Sequence, residues 1–220
     1  MNESADGARV VVRFGTEADA DDAARLHAGS ITEGFLAALG PRFLSRLYRR
    51  VVRSPDAFLL VAEEDGRTAG FLAGALDLRA LYRRFLVHDG VAATLSSLPR
   101  LLTSWRTAWE TLRHGTADPG THPDGGTSRD ATGSATGPAE LLAVAVDPGW
   151  RGRHVGALLV EEFLAELQRR GVEHAQVVVG ADNAVAVGLY RRSGFEPDRT
   201  FELHRGTTSL VMRRPVKAVP

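Results

Sequence analysis

The chain begins with a short β-branched run, "RVVVRF" at residues 9–14, which reads as a strand. In the following "EADADDAARLHAGS", acidic capping residues stand ahead of Ala23, Ala24 and Leu26, so a helix is expected. Within "LGPRFLSRLYRRVVRSP", Phe43, Leu44, Leu47, Tyr48 and Val51 fall at i, i+1, i+4, i+5 and i+8, one helical face that stops at Ser54-Pro55. "AFLLVAEEDGRTAGFLAGAL" is two apolar runs around Asp65-Gly66, a hairpin signal.

Residues 79–113 read as two or three short helices interrupted at Asp89-Gly90 and Pro99. Residues 114–138 are almost wholly Gly, Pro, Ser, Thr, Asp and Ala with no apolar period, which predicts a flexible loop. Order returns with "AELLAVAVDP", a buried strand stopped by Pro148, and then with Val155, Leu158, Leu159, Phe163 and Leu167 on one face of a helix ending at Gly171. "EHAQVVVG" reads as another strand, and "DNAVAVGLYRRSGF" as a helix capped by Asp182 or Asn183 and closed by Gly194. "FELHRGTTSLVMRRP" reads as a closing hairpin around Arg205-Gly206. Alternating strands and helices give an α/β architecture, a single domain carrying an insertion.

Lys plus Arg and Asp plus Glu balance at 27 each, so nothing global argues for nucleic acid or for an anionic membrane. Lys217 is the one lysine. Cysteine is absent, which excludes disulfides, thiolate metal sites and a covalent cysteine acyl-enzyme. The polar start "MNESADGARV" lacks an apolar signal segment, and no run reaches the ~18 apolar residues of a membrane span. A soluble, cytoplasmic protein is the expectation. His114, His122 and Asp124 lie in the flexible tract without a third ordered ligand and read as solvated loop residues, so no metal is expected.

The chemistry concentrates at "DPGWRGRHVGALL", residues 147–159, where a strand passes into a helix through two arginines, glycines and a histidine. The first turn of a helix leaves N–H groups unpaired and carries partial positive charge. Gly152 and Gly156 would let the backbone approach a bulky anion, while Arg151 and Arg153 offer charge-assisted contacts. The competing reading is a plain strand-to-helix connector. The Walker loop's lysine is missing, as are the three glycines of the dinucleotide fingerprint.

This turn resembles the acetyl-CoA signature of the GNAT superfamily of N-acetyltransferases, Gln/Arg-x-x-Gly-x-Gly/Ala, with Arg151 and Gly156 in place and His154 where the family usually has its first glycine. A second block, "NAVAVGLYRRSGF", resembles the family's Asn-x-x-Ala-x-x-x-Tyr-x-x-x-Gly-Phe through Asn183, Ala186, Tyr190, Gly194 and Phe195. The resemblance is loose over residues 8–78 and close over 139–214. It implies a mixed, mostly antiparallel sheet flanked by helices, one domain over 8–214, with the helical (79–113) and flexible (114–138) insertion between the third and fourth strands.

The resemblance further implies transfer of an acetyl group from acetyl-CoA directly to an amine, without a metal. The implied cofactor set is Val144, Ala145 and Val146 on the strand, Arg151, Gly152, Arg153, His154, Val155, Gly156 and Ala157 at the turn, and Asn183, Ala186 and Tyr190 on the later helix, facing the pantetheine arm. Tyr190 would hydrogen-bond or protonate the leaving sulfur; as an alternative it is a core aromatic. Glu140 is the candidate base or a strand-edge glutamate, with Glu33, His88 and His204 as other candidates. Tyr82, Phe85, Trp105 and Trp109 either line the acceptor cleft or form the insertion's own core. "QVVVGADN" lacks the Leu-Glu-Val-Arg run of the ribosomal-protein branch, which favours a small-molecule amine over a protein N-terminus or lysine. A homodimer is a family-based expectation. The readings from other classes are a catalytically silent acyl-CoA-binding or regulatory module, and an interaction scaffold.

Overall fold

The computed structural model describes residues 9–31, 40–85, 137–204 and 207–216. Seven strands form one sheet: β1 (Val11–Phe14), β2 (Ala57–Glu64), β3 (Arg67–Ala75), β4 (Ala139–Val146), β5 (His174–Gly180), β6 (Glu196–His204) and β7 (Thr207–Pro215). Their spatial order is β1-β2-β3-β4-β5-β7-β6, and every neighbouring pair is antiparallel except β4 with β5. The helices are α1 (Ala20–Ser30), α2 (Pro41–Arg53), α3 (Val155–Arg169) and α4 (Ala184–Arg192). The expected insertion lies between β3 and β4; its residues 78–85 are helical and 86–136 fall outside the described residues, with His88, Trp105, Trp109, His114, His122 and Asp124 among them. Glu33 and the Arg205-Gly206 turn also fall outside.

Strand alternation divides the core in two. Phe58, Leu60 and Leu72 pack with Leu159, Phe163 and Leu167 of α3 and Tyr190 of α4 on one face. Leu59, Val61 and Phe71 pack with Leu26 of α1 and Leu44 and Tyr48 of α2 on the other. β2 is therefore apolar from Ala57 to Ala62, where both its faces are covered. Leu158, expected on the buried face of α3, is 38% exposed, since the stripe runs through Val155, Leu159, Phe163 and Leu167.

Local signals act as their chemistry requires. Asp65 and Gly66 both take positive φ, 51° and 72°, the geometry of a two-residue hairpin turn. Both α3 and α4 end in a left-handed glycine, Gly171 at φ 67° and Gly194 at φ 80°. In α3, the Val172 amide reaches Leu167 O at 2.9 Å and the Gly171 amide reaches Gln168 O at 3.0 Å. In α4, the Phe195 amide reaches Tyr190 O at 2.9 Å and the Gly194 amide Arg191 O at 3.0 Å. Both pairs are Schellman closures. Of the two candidate caps for α4, Asn183 is the one used: its side chain accepts from the Ala186 amide at 3.1 Å.

Candidate functional site

β4 pairs with β5 only over Ala139–Ala175, Glu140–Gln176 and Leu141–Val177. Beyond that point the strands part. A bulge assists the parting: Leu141 pairs with Gly74 and Ala143 with Ala73, leaving Leu142 as the extra residue. After it, Ala143 and Ala145 turn into the core beneath α1 and α2, while Val144 and Val146 pack toward α3. The Asp147 amide donates to Ala69 O at 2.9 Å, so strand alternation sends the amide of Ala145 toward β3 and those of Val144 and Val146 into the gap beside β5.

At the end of β4, Asp147 accepts from the Gly149 amide at 3.0 Å and fixes a 3-10 turn over Pro148–Trp150. Gly152 then takes φ 78° and His154 φ 62°, and α3 starts at Val155. His154 thus adopts the left-handed conformation that a glycine adopts without cost; histidine is among the residues that tolerate it. Among the described residues the amides of Gly152, His154, Val155 and Gly156 have no hydrogen-bond partner, a cluster of donors at a helix N-terminus. A Cβ placed at Gly152 would meet nothing within 4 Å, and one at Gly156 would only touch Leu189 at 3.4 Å and Val146 at 3.7 Å. The donor set and the open approach fit a linked pair of phosphates.

The two arginines are placed differently from expectation. Arg153 forms a two-pronged ion pair with Glu64 of β2, one contact at 2.8 Å, and the Trp150 indole N–H donates to the same carboxylate at 2.7 Å. Its guanidinium is therefore turned to the β2–β3 hairpin, which explains why the Glu64 carboxyl titrates below its ordinary value. The Arg67 guanidinium stacks 4.9 Å from the centre of the Trp150 ring and completes this clamp. Arg151 contacts Val146 O at 3.4 Å and Ser30 Oγ at 3.3 Å, staying beside the gap.

Asn183, Ala186 and Tyr190 are brought to one helix as expected, yet each also helps to close its ends. Asn183 is the N-cap, Ala186 provides the capped amide, and the carbonyl of Tyr190 closes the last turn. The Tyr190 ring meets Phe195 edge to face at 5.9 Å, the apolar contact that accompanies a Schellman end. Tyr190 is 5% exposed, its hydroxyl has no partner among the described residues, and burial pushes the phenol above its ordinary pKa. Tyr190 thus belongs to the core, with a hydroxyl that has no partner among the described residues.

On the opposite face, Glu140 is largely buried, and burial pushes its carboxyl up while the hydrogen bond from Gln176 Nε2, 2.9 Å, pulls it down. The charge of Glu140 in turn raises the Tyr82 phenol, after burial, and Tyr82 bears on Tyr48. Tyr48 OH and His27 Nδ1 lie 2.5 Å apart, and burial holds His27 neutral down to about pH 4. Sequence reading missed Gln176, Tyr48 and His27 as neighbours of the site. The one available signal was Gln176 itself, a lone polar side chain within the apolar "AQVVV".

Comparison with known proteins finds a family match, partial sequence matches and a shared fold. The Acetyltransferase (GNAT) family matches residues 114–195. The mycothiol acetyltransferase of Beutenbergia cavernae is 42% identical over 64 residues, 29% of this chain and 21% of that one. The [ribosomal protein bS18]-alanine N-acetyltransferase of Escherichia coli is 40% identical over 83 residues, 36% of this chain and 56% of that one. The matched stretches thus span from about a fifth to just over half of these relatives. The crystal structure of Arabidopsis thaliana NAA60 in complex with acetyl-CoA shares the fold, with a TM-score of 0.60 at 17% identity over 94% of this chain and 99% of that one.

Proposed function

We propose that the chain belongs to the GNAT superfamily, whose family model matches residues 114–195, and that it transfers an acetyl group from acetyl-CoA directly to a primary amine of a small molecule. The observation that carries this reading is the pairing of four unpartnered amides at 152–156 with a gap between β4 and β5 directly beside them. The amides hold the diphosphate, each anion contact at an exposed helix end contributing about 0.3–1 kcal/mol. Bound acetyl-CoA supplies a thioester, whose carbonyl carbon accepts the amine.

The Val144 or Val146 amide, both aimed into the gap, stabilises negative charge developing on the carbonyl oxygen. As the C–N bond forms and the C–S bond breaks, Glu140 takes the proton the nitrogen sheds, and burial raises its carboxyl in the direction that makes it a better proton acceptor. Tyr190 donates a hydrogen bond or its proton to the departing sulfur. Burial raises the phenol, but it raises a thiol lodged beside it as well, so the two remain comparable. Tyr82, on the helical segment 78–85, feels the charge of Glu140 and is the candidate for the acceptor side, whereas Phe85 packs against Phe43 and Leu47 of α2.

The likeness to a mycothiol acetyltransferase favours a small-molecule acceptor, whereas the likeness to a bS18-alanine N-acetyltransferase favours a second reading, a protein N-terminus. Two measurements decide. Acetyl-CoA at a hundred times its Kd stabilises a protein that binds it by about 2.7 kcal/mol, read as a rise in Tm. Thiol release across small primary amines and an alanine-initiated peptide then identifies the acceptor class; no Tm rise and no release would overturn the assignment.

A further inference from the structure

On the face of the sheet beneath α1 and α2, Glu140 and Gln176 stand opposite each other, one pair before β4 and β5 part. Gln176 Nε2 donates to Glu140 Oε2 at 2.9 Å, which occupies one end of the amide. The other end, Gln176 Oε1, is buried and has no hydrogen-bond partner. The second oxygen of Glu140 has none either among the described residues. An ionised carboxylate only accepts, so it fixes which end of the amide faces it and leaves the carbonyl directed elsewhere. A buried, unfilled carbonyl oxygen on the residue that is hydrogen-bonded to Glu140, adjoining the gap, is a costly arrangement unless a donor completes it, and the second oxygen of Glu140 can take a further hydrogen from the same donor.

We propose that Gln176 Oε1 and Glu140 Oε1 together receive the two N–H groups of a primary amine, making Gln176 an acceptor-binding residue that selects primary over N-substituted amines. The proposal rests on the acetyl-transfer reading and narrows its substrate class. The two hydrogens have different fates. The one on Glu140 leaves as the C–N bond forms, and the one on Gln176 stays with the nitrogen and becomes the amide N–H of the product. A secondary amine has a single N–H, which Glu140 must take, so Gln176 Oε1 stays unpaired throughout.

The probes are methylamine, ethanolamine and tyramine, each beside its N-methyl counterpart, followed by thiol release from acetyl-CoA. The wild-type chain should favour the primary amine in kcat/KM by at least about fivefold, the cost of one unpaired buried acceptor. Gln176→Met should bring each pair to within about twofold, chiefly by loss on the primary amine, with the KM for acetyl-CoA unchanged. Gln176→Glu, which keeps an acceptor oxygen in place, should retain the preference. Gln176→Met should also move the acidic limb of the kcat/KM profile to higher pH, because the hydrogen bond that favours the Glu140 carboxylate is gone. Among the described residues, the other titratable groups on this face are Tyr82, Tyr48 and His27, with Arg213 paired to Asp198 across β7 and β6. Equal rates on primary and secondary amines, or a preference that survives Gln176→Met as a purely steric one would, overturns the proposal while acetyl transfer stands. A chain that binds acetyl-CoA but acetylates no amine of the panel overturns both.

Discussion

On the proposed reading single residues carry much of the function, and each can be tested alone. Tyr190→Phe removes the hydroxyl but keeps the Phe195 contact, so kcat should fall about 100-fold, within the range for lost general acid catalysis, with little change in acetyl-CoA affinity. Equal turnover would remove Tyr190 from the mechanism. His154 sits at φ 62°, a region a β-branched side chain resists by roughly 1–2 kcal/mol. His154→Val should therefore lower Tm and weaken acetyl-CoA binding together, whereas His154→Gly should leave both within about 1 kcal/mol of wild type. His27 gives a pH signature. Its folded pKa of about 4 lies below the ordinary 6.5, so the unfolded chain binds the proton first. Stability is then full above pH 6.5 and declines as pH falls toward 4, by on the order of 3 kcal/mol. Urea midpoints measured against pH should show that decline, and His27→Gln should flatten it. The Asp19 carboxyl, held near 2 by Arg13, loses its contribution only below about pH 4 and stays separable.

At the scale of elements, local chemistry was legible and long-range contact was not. Asp65-Gly66, Asn183, Gly171 and Gly194 announce the hairpin and helix ends because turns and caps are settled by residues within a few positions of each other. The left-handed glycine turn at 152 before α3, proposed above to hold an anion, was legible for the same reason. The Leu142 bulge left no mark in "AELLAVAV", since alternating and continuous apolar runs look alike in a strand buried on both faces. The orientation of Arg153 was equally hidden, because its partner Glu64 lies 89 residues earlier. That pairing makes a prediction of its own. Glu64→Gln keeps an acceptor for the Trp150 indole but removes a negative charge beside the anion turn and frees Arg153. Acetyl-CoA should bind about two- to fivefold tighter at low salt, with the gain fading as salt rises. Weaker binding would mean that the ion pair is needed to shape the turn.

Across the whole molecule, the sheet is two antiparallel halves, β1 to β4 and β5 to β7, joined by a parallel ladder of three residue pairs. The gap at this seam follows from topology, which no local pattern encodes. Hydrogen exchange should report the seam directly. The amides of Val144, Val146, Gly152, His154, Val155 and Gly156 should exchange fast in the free protein and slow down together with acetyl-CoA, while those of Ala145 and Asp147, bonded toward β3, should be slow in both states. Uniform protection in the free protein would show that the seam is closed.

The closures of α4 bear on how sequences of this kind are sorted. Asn183, Tyr190, Gly194 and Phe195 terminate a helix, and a pseudoenzyme descended from the same ancestor would need them as much as an active one would. Retention of that block therefore diagnoses architecture, and on the acetyl-transfer reading proposed above, catalytic competence is better judged from the backbone shape around position 154 and the polar pair at 140 and 176.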